Sequence, residues 1–460
     1  MRLPFLDRER ETERLTRCFN AAEGTLSCLY GRRRCGKSRL ISEAIKNRSA
    51  VFYVGDERNA ALQRLSLSKS VASLIKGFDT VSYPDWDSLF GQFFDRAPEG
   101  LILVLDEFPW MVQASPELPG LLQKRVDTET GRRLHIVLCG SSQRMMQGLV
   151  LDRSAPLFGR AREILEIKPL GLHWLDRAAG FGDARKTIEA YAVWGGVPRY
   201  WELAFDHKTT LDAVRDIVLD PLGVLHREPE SLLFDDMREL SQAASVLSAI
   251  GQGCHKLSEI AGRLGHPATA LARPLQRLAE LGLVRKEIPY GVSERDNKRS
   301  LYKINDPFLR FWFRYVEQNR SMLSTGQLKP VEDEIRSSWS MFLGPAWEDL
   351  ARSAVPFINV GGVEWRTASR WWGTGADRKP MEMDIMASSA DGESLLFGES
   401  KLSLDQKELP REAAKLLEKS LKLPNVGRKR LVHCIFTVDQ LQSANDCHVI
   451  SAADVIGALK

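Results

Sequence analysis

Gly31-Arg32-Arg33-Arg34-Cys35-Gly36-Lys37-Ser38 has the spacing G-x-x-x-x-G-K-S. The apolar segment Leu26 to Tyr30 precedes it and a helical pattern, Arg39 to Ile45, follows it. A phosphate-binding loop must sit in this way, between a strand and a helix. Its glycines let successive backbone N–H groups wrap a polyphosphate, and the helix N-terminus adds partial positive charge. Lys37 would place a point charge at the β/γ position, and Ser38 would offer a hydroxyl to Mg²⁺. ATP and Mg²⁺ are therefore the expected ligands, with Gly31, Arg33, Cys35, Gly36, Lys37, Ser38 and Arg39 around the nucleotide.

The second half of such a site is an apolar strand ending in acid, and Leu101-Ile102-Leu103-Val104-Leu105-Asp106-Glu107 supplies it. Asp106 would hold Mg²⁺, whereas Glu107, one residue on, would polarise the attacking water, as hydrolysis rather than transfer requires. Further short apolar strands at Val51 to Val54, His135 to Cys139 and Ile164 to Ile167 alternate with amphipathic helices. That alternation predicts a parallel sheet covered on both faces. The strand at His135 runs into Gly140-Ser141-Ser142, which would set the Ser141 hydroxyl beside the acids as a γ-phosphate sensor. Pro156 to Arg162 lies just before the last strand, where oligomeric ATPases present an arginine to a neighbour's nucleotide, and Arg160 is the candidate.

The chain has 460 residues, 43% hydrophobic and 27% charged, which suits a globular protein of several domains. A net charge of +4 permits a nucleic-acid partner without demanding one. The seven cysteines are scattered, with no C-x-x-C pair, and read as reduced thiols rather than disulfides or zinc ligands. No run approaches the ~20 apolar residues of a membrane span, and the first ten residues are charged almost at once, so no membrane association and a cytoplasmic location are expected.

These residues together resemble the archaeal-type ATPases, a branch of the AAA+ and STAND P-loop proteins. The likeness rests on Phe5-Leu6-Asp7-Arg8-Glu9, Arg32-Arg33 in the loop, Asp106-Glu107-Phe108 and Gly195-Gly196-Val197-Pro198. It implies that the segment around Arg8 closes over the adenine and that the turn at Pro198, in a small helical lid, also approaches the nucleotide.

Beyond Leu211 the pattern turns helical and then two-stranded. Leu257 to Gly265 and Leu275 to Val284 read as helices leading into a hairpin with Tyr290-Gly291 to Arg299 as its wing, the order of a winged helix. Arg273, Arg277, Arg295, Lys298 and Arg299 could contact phosphates. Pro274 and an Ala/Leu-rich composition argue against base-specific reading, and a winged helix that packs against other domains is the other reading. The aromatic stretch Leu301 to Tyr315 fits a helix buried on two sides, and resembles the start of the C-terminal domain fused to many archaeal-type ATPases (the DUF234 type).

A second constellation follows. Met383-Asp384-Ile385-Met386-Ala387 and Leu395 to Lys401 read as consecutive strands, the latter ending Glu399-Ser400-Lys401. Alternation puts Glu399 and Lys401 on one face, where Asp384 meets them if the strands pair. Two carboxylates on one Mg²⁺ or Mn²⁺ can activate water beside a phosphodiester, and a lysine can orient it or stabilise developing charge. The pattern resembles the PD-(D/E)xK nuclease core, with Glu348 on the helix from Pro345 to Leu350 as its additional acid. Lys415, Lys419 and Lys422 would stripe the following helix, facing either a phosphate backbone or solvent.

The expected architecture is α/β: a P-loop parallel sheet core (1–170), a helical lid (171–235), a winged helix (236–305), aromatic connecting helices (306–340) and a C-terminal α/β restriction-endonuclease-like domain (341–460). The expected function is an ATP-hydrolysing switch coupled to DNA binding and metal-dependent phosphodiester cleavage, with homo-oligomerisation if Arg160 acts in trans. The alternative is a regulatory or signalling ATPase whose degenerate nuclease fold serves DNA binding or docking.

Overall fold

The computed structural model describes residues 3–128, 132–234, 240–293, 299–423, 429–443 and 447–460. These fall into two compact units, one built on residues 5–169 and the other on residues 170–233 and those from 240 onward.

In the first unit the apolar segments form β1 (Thr25–Tyr30), β2 (Ala50–Val54), β3 (Leu101–Asp106), β4 (Leu134–Gly140) and β5 (Ala161–Glu166). They pair in parallel in the order β2-β3-β4-β1-β5. Every residue of β1, β3 and β4 is buried, because these central strands have helices on both faces. The edge strands β2 and β5 are only partly covered. One side of the sheet carries an aromatic core that includes Phe78, Trp86, Phe90 and Phe93. Because Tyr30 is level with Gly140 and Leu105 with Leu138, the segments that follow β1, β3 and β4 leave the sheet at one edge. Ligands of open α/β sheets bind at that carboxyl edge.

The second unit contains the mixed sheet β12-β11-β10-β9-β8. Its strands are β8 (Ser369–Thr374), β9 (Pro380–Ser388), β10 (Ser394–Lys401), β11 (Arg430–Thr437) and β12 (Cys447–Ser451). β8, β9 and β10 are antiparallel neighbours, whereas β10, β11 and β12 run parallel. The sequence showed β9 and β10 but not β8, whose Trp371 and Trp372 pair with Met383 and Glu382. Glu348 lies on a 27-residue helix, Leu328–Ala354, that has Pro345 in its interior. The expected start at Pro345 and boundary at residue 340 therefore both fall inside one continuous helix. The carbonyl left without its usual donor belongs to Met341, which is 70% exposed and open to water.

Helices Leu240–Gly251, Leu257–Leu264 and Ala268–Glu280 precede an antiparallel pair, β6 (Val284–Glu287) and β7 (Leu301–Ile304). That is the element order expected of a winged helix; Arg295 and Lys298, expected in a wing, lie outside the described residues. Pro274 sits within Ala268–Glu280, which is held by its buried face of Leu271, Leu275 and Leu278. The aromatic stretch is interior: Phe308, Leu309, Phe311, Trp312, Phe313 and Tyr315 are all buried. Helices Leu172–Ala179 and Ala184–Trp194, expected in a separate lid, contribute Leu172 and Ile188 to the same apolar core as Trp347, Ile385, Leu396 and Phe436.

One titratable group is buried in the central sheet. His135 on β4 is fully buried; its Nδ1 is 2.9 Å from Thr25 Oγ1, and its Nε2 has no partner among the described residues. Burial, and then the nearby arginine charges, push the imidazole down from 6.5 to about 4. The histidine is thus neutral in the fold and takes up a proton on unfolding between those values. The stability it contributes is complete above pH 6.5 and is lost as pH falls towards 4. Thermal melts across that range should show a shallower decline for His135→Val than for the wild type; parallel declines would refute the assignment.

Candidate functional site

At the carboxyl edge of the parallel sheet, Gly31 adopts φ +147°, and a Cβ there would lie 2.3 Å from the Ile167 carbonyl. Gly36 (φ 90°) caps helix Lys37–Ala44 in the left-handed region, where a side chain is strained. The glycine spacing thus follows from two backbone requirements. Lys37 is buried, and its ammonium donates to the Gly31 and Arg32 carbonyls at 2.8 and 3.1 Å, within the loop it would serve. Cys35 points inward: burial raises its thiol pKa, against the opposing charges of Arg32, Lys37 and Arg8. Arg33 is exposed and Arg39 half-buried.

The two acids after β3 part company. Asp106, buried, accepts the Ser38 hydroxyl at 2.5 Å through one oxygen and the Glu107 amide at 3.0 Å through the other. The loop hydroxyl and the strand carboxylate therefore meet at one point. Glu107 has φ 49°, a left-handed turn that takes the chain out of the strand. Its carboxylate accepts the Ser141 hydroxyl at 2.7 Å and the Ser141 amide at 3.2 Å. The hydroxyl expected beside the acids is bonded to one of them.

Arg8 precedes helix Glu9–Phe19 in a left-handed conformation, its guanidinium on Glu11 at 3.1 Å and on the Lys168 carbonyl. Sequence reasoning missed an open cavity of about 590 Å³ lined by Gly55, Asp56, Glu57, Arg58 and Trp110. It adjoins the acids, since the Gly55 amide donates to the Asp106 carbonyl at 2.8 Å. Four of these residues follow β2, a strand whose end carries no motif, and Trp110 lies on helix Phe108–Ala114 after β3. Arg160 is held within its own chain, where its guanidinium forks onto both Asp127 oxygens at 2.8 Å and donates to the Pro156 and Phe158 carbonyls. To act on a neighbour's nucleotide, as the sequence suggested, Arg160 would have to exchange these intrachain bonds. Pro198 belongs to the second unit, opening helix Pro198–Ala204 after a turn in which the Gly196 carbonyl accepts the Leu170 amide at 2.7 Å.

The second unit brings its predicted acids together. β9 and β10 pair as far as Gly398 opposite Ile385, and Asp384 and Glu399 are the residues just beyond that last pair. The small residue Ser400 has a use here: its amide donates to Asp384 at 3.0 Å and its hydroxyl lies at 3.3 Å. Burial and then the charge of Asp384 raise Glu399 to about 7, and the same two causes raise Glu348. Arg352 lies between, donating to the Asp384 carbonyl at 2.9 Å and reaching Glu348 at 3.7 Å. Among the described residues, no three His, Cys, Asp or Glu side chains are gathered closely enough to hold a metal.

The lysines differ from expectation. Lys401 pairs with Glu412 at 3.3 Å, and it is Lys419, from helix Leu409–Leu421, that reaches Glu399. Lys415 pairs with Glu412 at 2.5 Å and Lys422 with Glu418 at 2.8 Å, so the stripe is neutralised by its own helix and by the acidic site rather than left for phosphates. The hairpin's charges are likewise engaged. Arg285 bonds Glu287 and Asp349, both at 2.7 Å, and Lys303 bonds Glu287 at 2.9 Å. Burial alone would raise Asp349, but Arg285, Arg352 and Arg310 hold it down at about 2.

Compared with known proteins, residues 5–203 match the family described as an ATPase domain predominantly from Archaea. Residues 312–412 match a family of archaeal and bacterial proteins of unknown function. The chain is 28% identical over 404 residues to the uncharacterized protein MJECL04 of Methanocaldococcus jannaschii, covering 86% of this chain and 87% of that one. In fold it resembles the Walker-type ATPase PABY2304 of Pyrococcus abyssi, at 23% identity and a TM-score of 0.51 over 67% of this chain and 96% of that one. The Aeropyrum pernix ORC2 protein, solved as ADPNP-ADP complexes, is 15% identical with a TM-score of 0.46 over 71% of this chain and 96% of that one. No helix among the described residues is long and apolar enough to cross a membrane. By these matches the chain is an ATPase, with residues 5–203 similar to the predominantly archaeal ATPase domain and residues 312–412 similar to the family of unknown function.

Proposed function

We propose that this ATPase couples nucleotide hydrolysis to a nucleic-acid partner, DNA first, and that its acidic site cleaves phosphodiester bonds with Mg²⁺ or Mn²⁺. The observation that carries the second part is the Asp384 and Glu399 pair, set on neighbouring strands with raised proton affinity at Glu399.

At the nucleotide, Lys37 exchanges its two loop carbonyls for β/γ-phosphate oxygens, a move within reach of its flexible stem. Ser38 and Asp106, whose oxygens converge at 2.5 Å, are the hard oxygen donors that Mg²⁺ takes. The ion would neutralise charge that builds on the phosphate oxygens. Glu107, held by two bonds from Ser141, takes the proton from the attacking water, and the Ser141 hydroxyl is placed to register the γ-phosphate.

At the acidic site, crowding supports a cation ligand set: the charge of Asp384 raises the proton affinity of Glu399 and Glu348, a repulsion that a dication in place of the proton would relieve. Asp384 and Glu399 would hold Mg²⁺ or Mn²⁺, which would supply Lewis-acid polarisation of the phosphate. Lys401 and Lys419 add positive charge where the phosphate gains negative charge, and Glu348 borders the pair. Nucleic-acid contact by the helices and hairpin falls to residues such as Arg273 and Arg299, which are exposed; Arg277 pairs with Glu280 at 3.1 Å.

One observation favours the second reading, a docking platform that does not cut. Lys419 already neutralises Glu399 with an ammonium of the chain itself.

Lys37→Ala should lower ATP turnover by about 10²-fold or more, the effect of removing one transition-state donor. Turnover at the wild-type rate would refute the loop assignment. Glu107→Gln should retain nucleotide binding while losing turnover by roughly 10²–10⁴-fold, read by titration of a labelled nucleotide beside phosphate release.

Incubated with DNA and Mg²⁺ or Mn²⁺, the wild type should cut. Asp384→Ala should lose more than the roughly 10–100-fold that an outer-shell change costs, and Lys401→Ala should also be impaired. Intact DNA with wild type under every metal and nucleotide would remove the cleavage reading and leave the platform.

A further inference from the structure

Strand β10 delivers Glu399 and Lys401 and then ends, so the next carbonyl, that of Leu402, has no ladder partner and is taken by a side chain from another element. Arg185, in the first turn of helix Ala184–Trp194, donates to the Leu402 carbonyl at 2.8 Å. The same guanidinium lies 3.9 Å from Asp439, whose other oxygen accepts the Leu404 amide at 2.9 Å. Both sides of the turn that leaves Lys401 are therefore tied to one arginine, directly at Leu402 and through Asp439 at Leu404.

The helix that offers this arginine is itself fixed. Asp183 caps it, accepting the Arg185 amide at 2.9 Å, and Thr187 binds Asp176 of helix Leu172–Ala179 at 2.6 Å. The Leu402 side chain packs against the core that includes Leu172 and Ile188. Burial raises the pKa of Glu189, one turn further along, against a Trp339 hydrogen bond and then the charge of Arg185.

We propose that Arg185 is a positioning residue for the acidic site: it sets the end of β10, and with it the reach of Lys401, from the helix pair 172–194. The catalytic consequence rests on the cleavage reading above; the positioning itself does not. The Arg185 side chain is 42% exposed, so its removal opens no cavity in the core, and the variants should fold.

Hydrogen exchange on the full chain, without metal, nucleotide or DNA, tests the positioning. In Arg185→Ala, amides of residues 399–404 should exchange about tenfold faster, as loss of one charge-assisted hydrogen bond allows, while those of residues 31–38 are unchanged. Arg185→Lys, which keeps a cationic donor, should restore most of the protection. Equal exchange in wild type and Arg185→Ala, or no restoration by lysine, overturns the proposal.

The DNA assay then reads the consequence. Arg185→Ala should lower kcat for cleavage with KM and ATP turnover unchanged. If exchange responds as expected but the wild type leaves DNA intact, the positioning stands and the cleavage reading fails; if the wild type cuts and Arg185→Ala cuts equally well, the positioning has no bearing on the site and the proposal falls.

Discussion

The bond between the Ser38 hydroxyl and Asp106 joins two segments that are 68 residues apart in the chain. It forms only because β1 and β3, separated by β4, end at the same level of a sheet buried on both faces. Strand level is fixed by apolar side chains that cannot slip in register without leaving the core. The same alignment places Ser141, at the end of β4, against Glu107. Packing deep in the sheet thus determines the distances among four polar groups at its rim.

Much of this was legible beforehand because the relevant physics is local. A left-handed glycine, a lysine next to last in the loop and an acid after an apolar strand each declare themselves within a few residues. Even the Ser141 contact could be read, since β4 is as apolar as β3. The cavity at Gly55 to Arg58 could not, because the residues following β2 have no distinguishing pattern. Nor could Arg160, whose bidentate partner Asp127 is 33 positions away on another element.

The second unit shows the limit more sharply. Pairing of β9 with β10 follows from alternation and a short connection, so Asp384 and Glu399 were found as neighbours. Which lysine faces Glu399 depends on how helix Leu409–Leu421 is rotated on the sheet, and rotation is set by Leu409, Ala413 and Leu416 in the interior. Periodicity identified the cationic side of that helix but not what lay across from it. In the hairpin, the partners of Arg285 and Lys303 were equally hidden: Glu287 lies on the same strand as Arg285, but Asp349 comes from a helix more than sixty residues on. A buried cation calls for a buried anion, and only the fold reveals which one.

The last helix, Ala452–Ala458, packs in the same core as Leu172, and the Leu459 carbonyl accepts the His173 amide at 3.0 Å. Gly171 is so close to that terminus that a Cβ on it would sit 2.8 Å from the Leu459 oxygen. The second unit is thus closed on itself, its earliest helix held by residues nearly three hundred positions later in the sequence. On a ribosome the nucleotide-binding sheet can assemble while later codons are still being read. The unit with the acidic site can close only once residues 452–460 have been made, nearly the length of the whole unit after the helix they hold, whereas the nucleotide-binding sheet draws all its strands from residues 25–166.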